Sequence, residues 1–165
     1  MEKIWLKSYG EGVPHTIDPD ARGSVADIFE NSIQKFSDRQ AFEIFGNALT
    51  FTQSGQLATN YAAYAQSVLG LGKGARVAVM LPNIMAFPIA VIGNLMAGFV
   101  QVNVNPLYTP KELKHQLNDS GAEAIVIFSG STPILAEVLD DTAIKHVITV
   151  DLSAGIEQDL PSPEV

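Results

Sequence analysis

Asn103, Asn105 and Tyr108 are the polar residues of this sequence best placed to bind a ligand. They lie at the end of a valine-rich run that is typical of a buried parallel strand. Because open α/β sheets bind ligands outside the carboxyl ends of their strands, these side chains predict a substrate-binding loop. The alternative is that both asparagines bond neighbouring backbone in an irregular loop while the tyrosine ring packs.

Two segments rich in small residues resemble anion-binding loops. Residues 70–75 contain three glycines, but they follow a predicted helix and lead into a strand, which reverses the order that a phosphate loop requires. Residues 129–133 do lie between a strand and a helix, yet no lysine follows to meet a phosphate. Thr132 and Pro133 are typical N-cap and first-turn residues, so capping is the favoured interpretation and an anion cradle the alternative.

The residue types exclude several classes of chemistry. The absence of cysteine excludes disulfides, thiolate metal sites and a cysteine nucleophile. His15, His115 and His146 lie far apart without ligand spacing, so no metal site is predicted. No Ser-His-Asp set or pair of catalytic carboxylates can be assembled, and we assign no catalytic or cofactor-binding residue. A formal net charge of −8, with scattered lysines and arginines, argues against a nucleic-acid partner.

The elements that must position the polar loop lie in residues 77–110, a stretch without a charged residue. Two β-branched runs, 77–81 and 99–104, flank an apolar segment of helical length, which predicts a strand–helix–strand unit. A membrane span is the competing interpretation of so long an uncharged run. Prolines, asparagines and a glycine interrupt the run, so a buried crossover helix is favoured.

The crossover helix has recognisable ends. Asn83 is placed to cap its start, and Gly98 is placed to end it in a left-handed conformation. Pro88 lies inside the predicted helix and has no N–H to donate to the Ile84 carbonyl, which predicts a local bend.

Strands and helices alternate along the rest of the chain, and 47% hydrophobic with 17% charged residues is sufficient for a packed core. Before the strand–helix–strand unit, the sequence predicts a helix from Ser24 to Phe36, a hairpin with strands 41–45 and 48–51 around Gly46 and Asn47, and a helix over 52–69. After the unit, it predicts a helix with Thr109, Pro110 and Glu112 at its start and Gly121 at its end. A strand over 124–128, a helix over 133–139 and a strand over 146–150 complete the prediction. The apolar faces of the first two helices are predicted to be Val25, Ile28, Phe29, Ile33 and Phe36, and then Leu57, Tyr61, Tyr64 and Val68. This alternation predicts a layered α/β fold with a largely parallel sheet and flanking helices, while the first helix and the hairpin belong to a different layer or subdomain.

The N-terminal residues lack the apolar core and cleavage site of a leader peptide, which predicts a cytoplasmic protein. Trp5 and Tyr9, beside two lysines, form either an arm that packs on the body or a small anchor at the inner face of a membrane. Residues 159–165 are rich in proline and polar residues and resemble a linker.

The order of several motifs resembles the N-terminal part of the adenylate-forming enzymes, and most closely the bacterial long-chain fatty acyl-CoA synthetases. The similarity extends from Trp5 to about Val150, and its most specific motif is Asn-Pro-Leu-Tyr-Thr-Pro at residues 105–110. Ala75 and Met96 depart from the family pattern, at positions that are not catalytic in such enzymes. The other matching motifs are at residues 24–36, 49–51, 71–78, 82–83, 97–98, 112–113 and 116–122.

The resemblance implies a complete enzyme that uses ATP, Mg²⁺ and CoA to convert a fatty acid, through an acyl-adenylate, to acyl-CoA. The family's phosphate loop, adenine motif, ribose-binding aspartate and catalytic lysine would all lie beyond Val165. The resemblance also implies an N-terminal arm at 1–23, a partial AMP-binding domain at 24–150, which is part of the larger N-terminal domain of that fold, and a linker-like end at 151–165. We expect this chain to supply scaffold, part of an acyl-pocket wall and dimer contacts, and to be inactive alone.

A free-standing binding or assembly module without catalysis is the alternative function. The uncharged helix at residues 84–97 is apolar nearly all round, so it requires cover on several sides. We expect part of that cover to come from the remainder of the same enzyme chain, and expect the isolated chain to bury the surplus in a homodimer, by a two-fold contact or a swap of the arm.

Overall fold

The computed structural model of the protein describes residues 2–21 and 23–152. In chain order its elements are α1 (Val25–Lys35), β1 (Gln40–Ile44), β2 (Asn47–Thr50), α2 (Phe51–Ser67), β3 (Arg76–Met80), α3 (Ala86–Met96), β4 (Val100–Asn103), α4 (Pro110–Ser120), β5 (Ala124–Phe128), α5 (Thr132–Ala136) and β6 (His146–Val150). Short 3₁₀ turns occupy Ile4–Ser8, Ser129–Ser131 and Leu139–Asp141.

The main sheet has four parallel strands in the order β4-β3-β5-β6. Alternate residues of β3 point into two separate apolar layers, as pleating requires. Val77 and Val79 pack with α2 and α3 on one face, while Ala78 and Met80 pack with α4 and α5 on the other. The layered α/β fold predicted from the sequence is therefore confirmed.

The N-terminal elements form a layer of their own, as predicted. Strands β1 and β2 make a separate antiparallel hairpin, and α1 packs against α2 and α3. The hairpin turn is one residue earlier than predicted, because Phe45 and Gly46 both adopt positive φ (49° and 78°). Phe51, predicted to lie in the second strand, instead begins α2, because Thr50 caps that helix with Gln53.

The predicted apolar face of α2 is right only in part: Leu57 and Tyr61 are half-buried, and Tyr61 packs on the core. The buried residues of α2 are Ser54, Gly55, Ala58, Ala62 and Ala65. Tyr64 and Val68, assigned to the core from their hydrophobicity, are 46% and 65% exposed. Small residues lie on the inner face because α2 packs closely on α3, and a closely packed helix pair leaves little room for large side chains.

The predicted cap of the crossover helix is also wrong. Helix α3 begins at Ala86, and Met85, not Asn83, occupies the cap position without a side-chain cap bond. The backbone N–H of Phe87 donates to the Ile84 carbonyl at 3.0 Å, so a tighter turn precedes the helix. Asn83 lies outside that turn and is exposed.

Pro88 is the third residue of α3. The first backbone N–H groups of a helix have no partner within it, so the missing N–H of Pro88 leaves no gap in the helical hydrogen bonding. The physical reason for the predicted bend therefore does not apply. The predicted left-handed residue after the helix is confirmed, since Gly98 has φ 71°.

The predicted start of α4 is confirmed in detail. The Thr109 hydroxyl accepts from the Glu112 backbone N–H (3.4 Å), and the Glu112 carboxylate accepts from the Thr109 N–H (2.9 Å). Pro110 opens the helix and Gly121 ends it with φ 64°.

Thr132, predicted as the cap of the next helix, lies instead within α5. The residue before it, Ser131, occupies the cap position without a side-chain cap bond. The Thr132 hydroxyl donates to the Ser129 carbonyl at 2.7 Å, because the chain enters α5 through a tight 3₁₀ turn. Helix α5 ends at Ala136, three residues before the predicted end, and the separate turn Leu139–Asp141 follows.

Residues 2–21 are largely exposed, which does not support the favoured prediction that the arm packs on the body. Leu6 is half-buried, and the other residues of this segment are exposed. Within residues 2–21 and 23–152, no helix is long and apolar enough to cross a membrane. The linker-like residues 159–165 lie outside the described residues.

Candidate functional site

Asn103 lies at the carboxyl end of β4, where the sequence placed a binding loop. Its side chain is on the sheet face that carries α3, because it accepts a hydrogen bond from Gln101, two residues earlier on the same strand (2.8 Å). Its backbone carbonyl accepts from Gln116 Nε2 of α4 at 2.8 Å. The residue is thus held from both faces of the sheet.

Asn105 and Tyr108 have local structural roles. The Asn105 side chain accepts from the backbone N–H of Leu107 at 3.0 Å, which fixes the loop as an Asx turn. The Tyr108 ring packs against the apolar layer under α4, on the face opposite the Asn103 side chain. The structure thus brings the three residues to one edge of the sheet without joining their side chains, and a ligand-binding role for them stays a prediction.

Tyr108 does line a small cleft of about 280 Å³ along α4. Glu112, His115 and Asp119 line the same cleft, one turn apart on the helix. Hydrogen bonds from the Thr109 backbone and hydroxyl lower the pKa of Glu112 below its usual range. Glu112 is therefore occupied as a helix cap and is poorly suited to act as a base.

A line of buried and half-buried polar side chains leads to Asn103 from the helical layer. Tyr61 Oη donates to Asn94 Oδ1 (2.9 Å), Asn94 Nδ2 donates to Gln101 Oε1 (3.0 Å), and Gln101 Nε2 donates to Asn103 Oδ1. Asn94 is fully buried, and burial raises the pKa of Tyr61 to about 12. Sequence reasoning missed this network, although one signal was available: Asn94 is a polar residue in the middle of an apolar helix.

The strand order identifies a second candidate position that the sequence did not indicate. Strands β3 and β5 are neighbours, but the helices that follow them, α3 and α5, pack on opposite faces of the sheet. Such a switch point opens a crevice at the carboxyl ends of the two strands. The loop at residues 81–85 and the turn Ser129–Ser131 lie there.

An apolar groove of about 430 Å³ lies between α1, the hairpin and α3. Phe29, Phe42 and Ile44 line one side, and Phe87 and Val91 of α3 line the other. We call this the α3 groove. Glu43, which lies between Phe42 and Ile44 on β1, also contributes to the lining.

The described residues do not fit a site for ATP and Mg²⁺. No group of three or more histidine or acidic side chains that could hold a metal ion occurs within residues 2–21 and 23–152. Directly after the turn Ser129–Ser131, the Thr132 hydroxyl is already bonded to the Ser129 carbonyl. The sequence around that turn supplies no lysine for a phosphate.

The four-stranded parallel sheet between two helical layers is the fold of the N-terminal domain of adenylate-forming enzymes. The family model described as "AMP-binding enzyme" matches residues 29–164. The chain therefore belongs to the AMP-binding enzyme family, and the resemblance inferred from its motifs is confirmed.

Several relatives are long-chain-fatty-acid–CoA ligases. The chain is 50% identical over 148 residues to that of Escherichia coli O157:H7, which covers 90% of this chain and 26% of the relative. It is 39% identical over 167 residues to that of Bacillus subtilis strain 168, which covers 99% of this chain and 28% of the relative. The chain thus spans about a quarter of the length of the curated relatives that it matches.

Solved structures support the same fold. A long-chain-fatty-acid-CoA ligase from Archaeoglobus fulgidus superposes with a TM-score of 0.74 at 27% identity, covering 86% of this chain and 30% of that one. A fatty acyl CoA synthetase from Mycobacterium tuberculosis gives a TM-score of 0.70 at 25% identity, covering 85% and 30%.

Proposed function

We propose that this chain forms the N-terminal part of an ATP-dependent long-chain fatty acyl-CoA synthetase. The complete enzyme would join a fatty acid to CoA and release AMP and pyrophosphate, with an acyl-adenylate as intermediate. The observation that carries the proposal is 50% identity over 90% of this chain to long-chain-fatty-acid–CoA ligases. Membership of the AMP-binding family supports the use of ATP, Mg²⁺ and CoA.

Within that enzyme, this chain provides scaffold. Its described residues offer no metal-binding cluster and no lysine-bearing phosphate loop, so the nucleotide chemistry falls to other parts of the enzyme. Asn103, Asn105 and Tyr108 contribute to substrate binding at the end of β4.

The remainder of the enzyme covers the α3 groove. Helix α3 carries no charged residue, and Phe87, Ile89, Val91, Leu95 and Met96 on it are only half-buried. Soluble proteins rarely leave so continuous an apolar surface open. The relatives are about four times as long as the matched region, which supplies ample chain for this cover.

The enzyme is cytoplasmic and contacts the inner face of the membrane through Trp5 and Tyr9. These rings are 50% and 41% exposed, and Lys3 and Lys7 lie beside them, an arrangement that suits a headgroup region. Cosedimentation with phosphatidylglycerol vesicles tests the contact. Equal binding by the wild type and by the double variant Trp5→Ala, Tyr9→Ala would refute it.

The test of the ligase proposal is the activity of the complete reading frame. The purified product should form palmitoyl-CoA from palmitate, ATP and CoA, and should catalyse palmitate-dependent exchange of pyrophosphate into ATP. A protein that expresses and folds but forms no acyl-adenylate with fatty acids of any chain length would overturn the proposal.

A further inference from the structure

Four side chains form a series of hydrogen bonds: Tyr61, Asn94, Gln101 and Asn103. In each bond, the residue nearer to Tyr61 in the series is the donor. A hydroxyl both donates and accepts, and a side-chain amide can present either its oxygen or its nitrogen. Within residues 2–21 and 23–152, the Tyr61 hydroxyl is hydrogen-bonded to Asn94 alone. Because burial keeps the phenol protonated, with its pKa at about 12, its proton needs an acceptor, and Asn94 must present Oδ1.

The orientation of Asn94 then sets every amide after it. With its oxygen facing Tyr61, Asn94 can only donate to Gln101, which must present Oε1 (3.0 Å). Gln101 in turn donates to Asn103 Oδ1 (2.8 Å). Each bond in such a series polarises the next, so the series strengthens the donor at its far end.

The side-chain amide of Asn103 has a fixed orientation, and its Nδ2 remains available as a donor. Its Oδ1 accepts from Gln101 and its carbonyl accepts from Gln116. In the described part of the chain, Asn103 Nδ2 donates to no protein acceptor, and the residue is exposed. A donor held in one orientation at the carboxyl end of a parallel strand is suited to binding an acceptor on a ligand.

We propose that Asn103 Nδ2 donates a hydrogen bond to an anionic oxygen of the bound substrate, either a carboxylate or a phosphate oxygen. Tyr61, Asn94 and Gln101 are positioning residues that fix this donor. The ligand assignment rests on the proposed ligase function, since that reaction brings both kinds of oxygen to the enzyme. Hydrogen bonds to ionised acceptors are the stronger class, which suits a single neutral donor.

The positioning series is tested on this chain by nuclear magnetic resonance of the side-chain amides, with the Asn103 signals assigned from Asn103→Ala. Tyr61→Phe should shift the Asn103 Nδ2 proton signals, although three hydrogen bonds separate the two residues. Tyr64→Phe is the matched control, because Tyr64 lies one turn along the same helix and is 46% exposed. Asn103 signals that stay unchanged in Tyr61→Phe, or that move equally in both variants, would overturn the series.

The ligand role is tested on the complete enzyme by steady-state kinetics. Asn103→Ala and the isosteric Asn103→Asp should each lower kcat/KM by about 10- to 100-fold, the usual effect of losing a hydrogen bond to a charged group. A rise in KM for palmitate identifies a carboxylate acceptor, and a rise in KM for ATP identifies a phosphate acceptor. Tyr61→Phe should raise the same KM by a smaller factor, while Asn60→Ala, on the exposed side of α2, should leave both unchanged.

Two negative results are distinguishable. An active enzyme in which Asn103→Ala and Asn103→Asp both keep the wild-type kcat/KM for palmitate and ATP overturns the ligand role and leaves the proposed function standing. A complete enzyme without ligase activity overturns the proposed function and the ligand assignment together. The positioning series is then decided by the resonance measurement alone.

Discussion

Gly93 of α3 lies directly against Tyr61 of α2. A Cβ atom at Gly93 would be 2.5 Å from Tyr61 Cδ1 and 2.8 Å from the Ala58 carbonyl oxygen, both closer than real Cβ contacts allow. This absence of a side chain lets the two helices approach closely enough for the Tyr61 hydroxyl to reach Asn94. The close approach also explains why the inner face of α2 consists of small residues.

Gly93→Ala should therefore destabilise the protein. Alanine is the better helix former by about 1 kcal/mol, but the added methyl group must displace a backbone carbonyl as well as a ring. We expect a net loss of about 1–3 kcal/mol in the free energy of unfolding, measured by urea denaturation. Gly72→Ala is the control, because nothing lies within 4 Å of its Cβ position and its φ is not positive. Equal stability of the two variants would contradict the close-packing account.

The capping residues of α4 should make the stability of the protein decrease at acidic pH. The folded-state pKa of Glu112 is lowered by hydrogen bonds from the Thr109 backbone and hydroxyl. A lowered pKa contributes stability above the unfolded-state value of about 4.3, and the contribution is lost as pH falls through the folded-state pKa. Glu112→Gln should therefore lose less stability than the wild type between neutral pH and about pH 3, by urea denaturation.

The Thr50 cap of α2 supplies the matched control. Its partner is Gln53, a neutral residue that makes the same pair of bonds. Thr109→Ala and Thr50→Ala should each cost about 1 kcal/mol at neutral pH. Gln53→Ala should lower stability without changing its dependence on pH. If Glu112→Gln retained the full acid sensitivity of the wild type, the lowered pKa of Glu112 would not contribute to it.

The sequence predicted the elements whose local chemistry is strong. Strands β5 and β6 have the predicted bounds, because short runs rich in β-branched residues favour strands. The cap at Thr109 was read correctly from three residues. Local sequence patterns predicted less well which residues are buried, because burial depends on how the helices pack. The inner face of α2 is set by contact with α3, and hydrophobicity alone placed the exposed Tyr64 and Val68 inside.

The candidate site was predictable only in part. Asn103 could be placed at the end of a strand, because the preceding residues define β4. Its partners could not, since Tyr61 and Asn94 are distant in sequence and meet only after the helices pack. The crevice between β3 and β5 depends on strand order, which is a property of the whole sheet.

The isolated chain should not form an acyl-adenylate. Phosphoryl chemistry requires groups that offset the charge developing on the phosphates, and the described residues offer no metal cluster or phosphate loop with a lysine. We expect no fatty-acid-dependent exchange of pyrophosphate into ATP by the purified 165-residue chain. The complete enzyme, purified in parallel, is the positive control. Exchange by the chain alone, with longer enzyme excluded by mass spectrometry, would place nucleotide chemistry in these residues.

The isolated chain should also self-associate through the α3 groove. Phe87 and Val91 of α3 line this groove, and their helix carries no charge that would favour water. Without the remainder of the enzyme, a second copy can supply the apolar cover, most simply across a two-fold axis or by exchange of the N-terminal arm at 1–23. Sedimentation equilibrium over a range of concentrations should show a dimer.

Substitution tests whether the groove is the contact. Val91→Asp places a charge in the groove and should shift the equilibrium towards the 17.7 kDa monomer. Val68→Asp is the control, because Val68 is 65% exposed at the end of α2 and does not line the groove, so it should leave the dimer intact. Urea denaturation of both variants separates a lost contact from a lost fold. A wild-type chain that remains monomeric at high micromolar concentration and binds no apolar dye would show that the chain needs no further cover for α3.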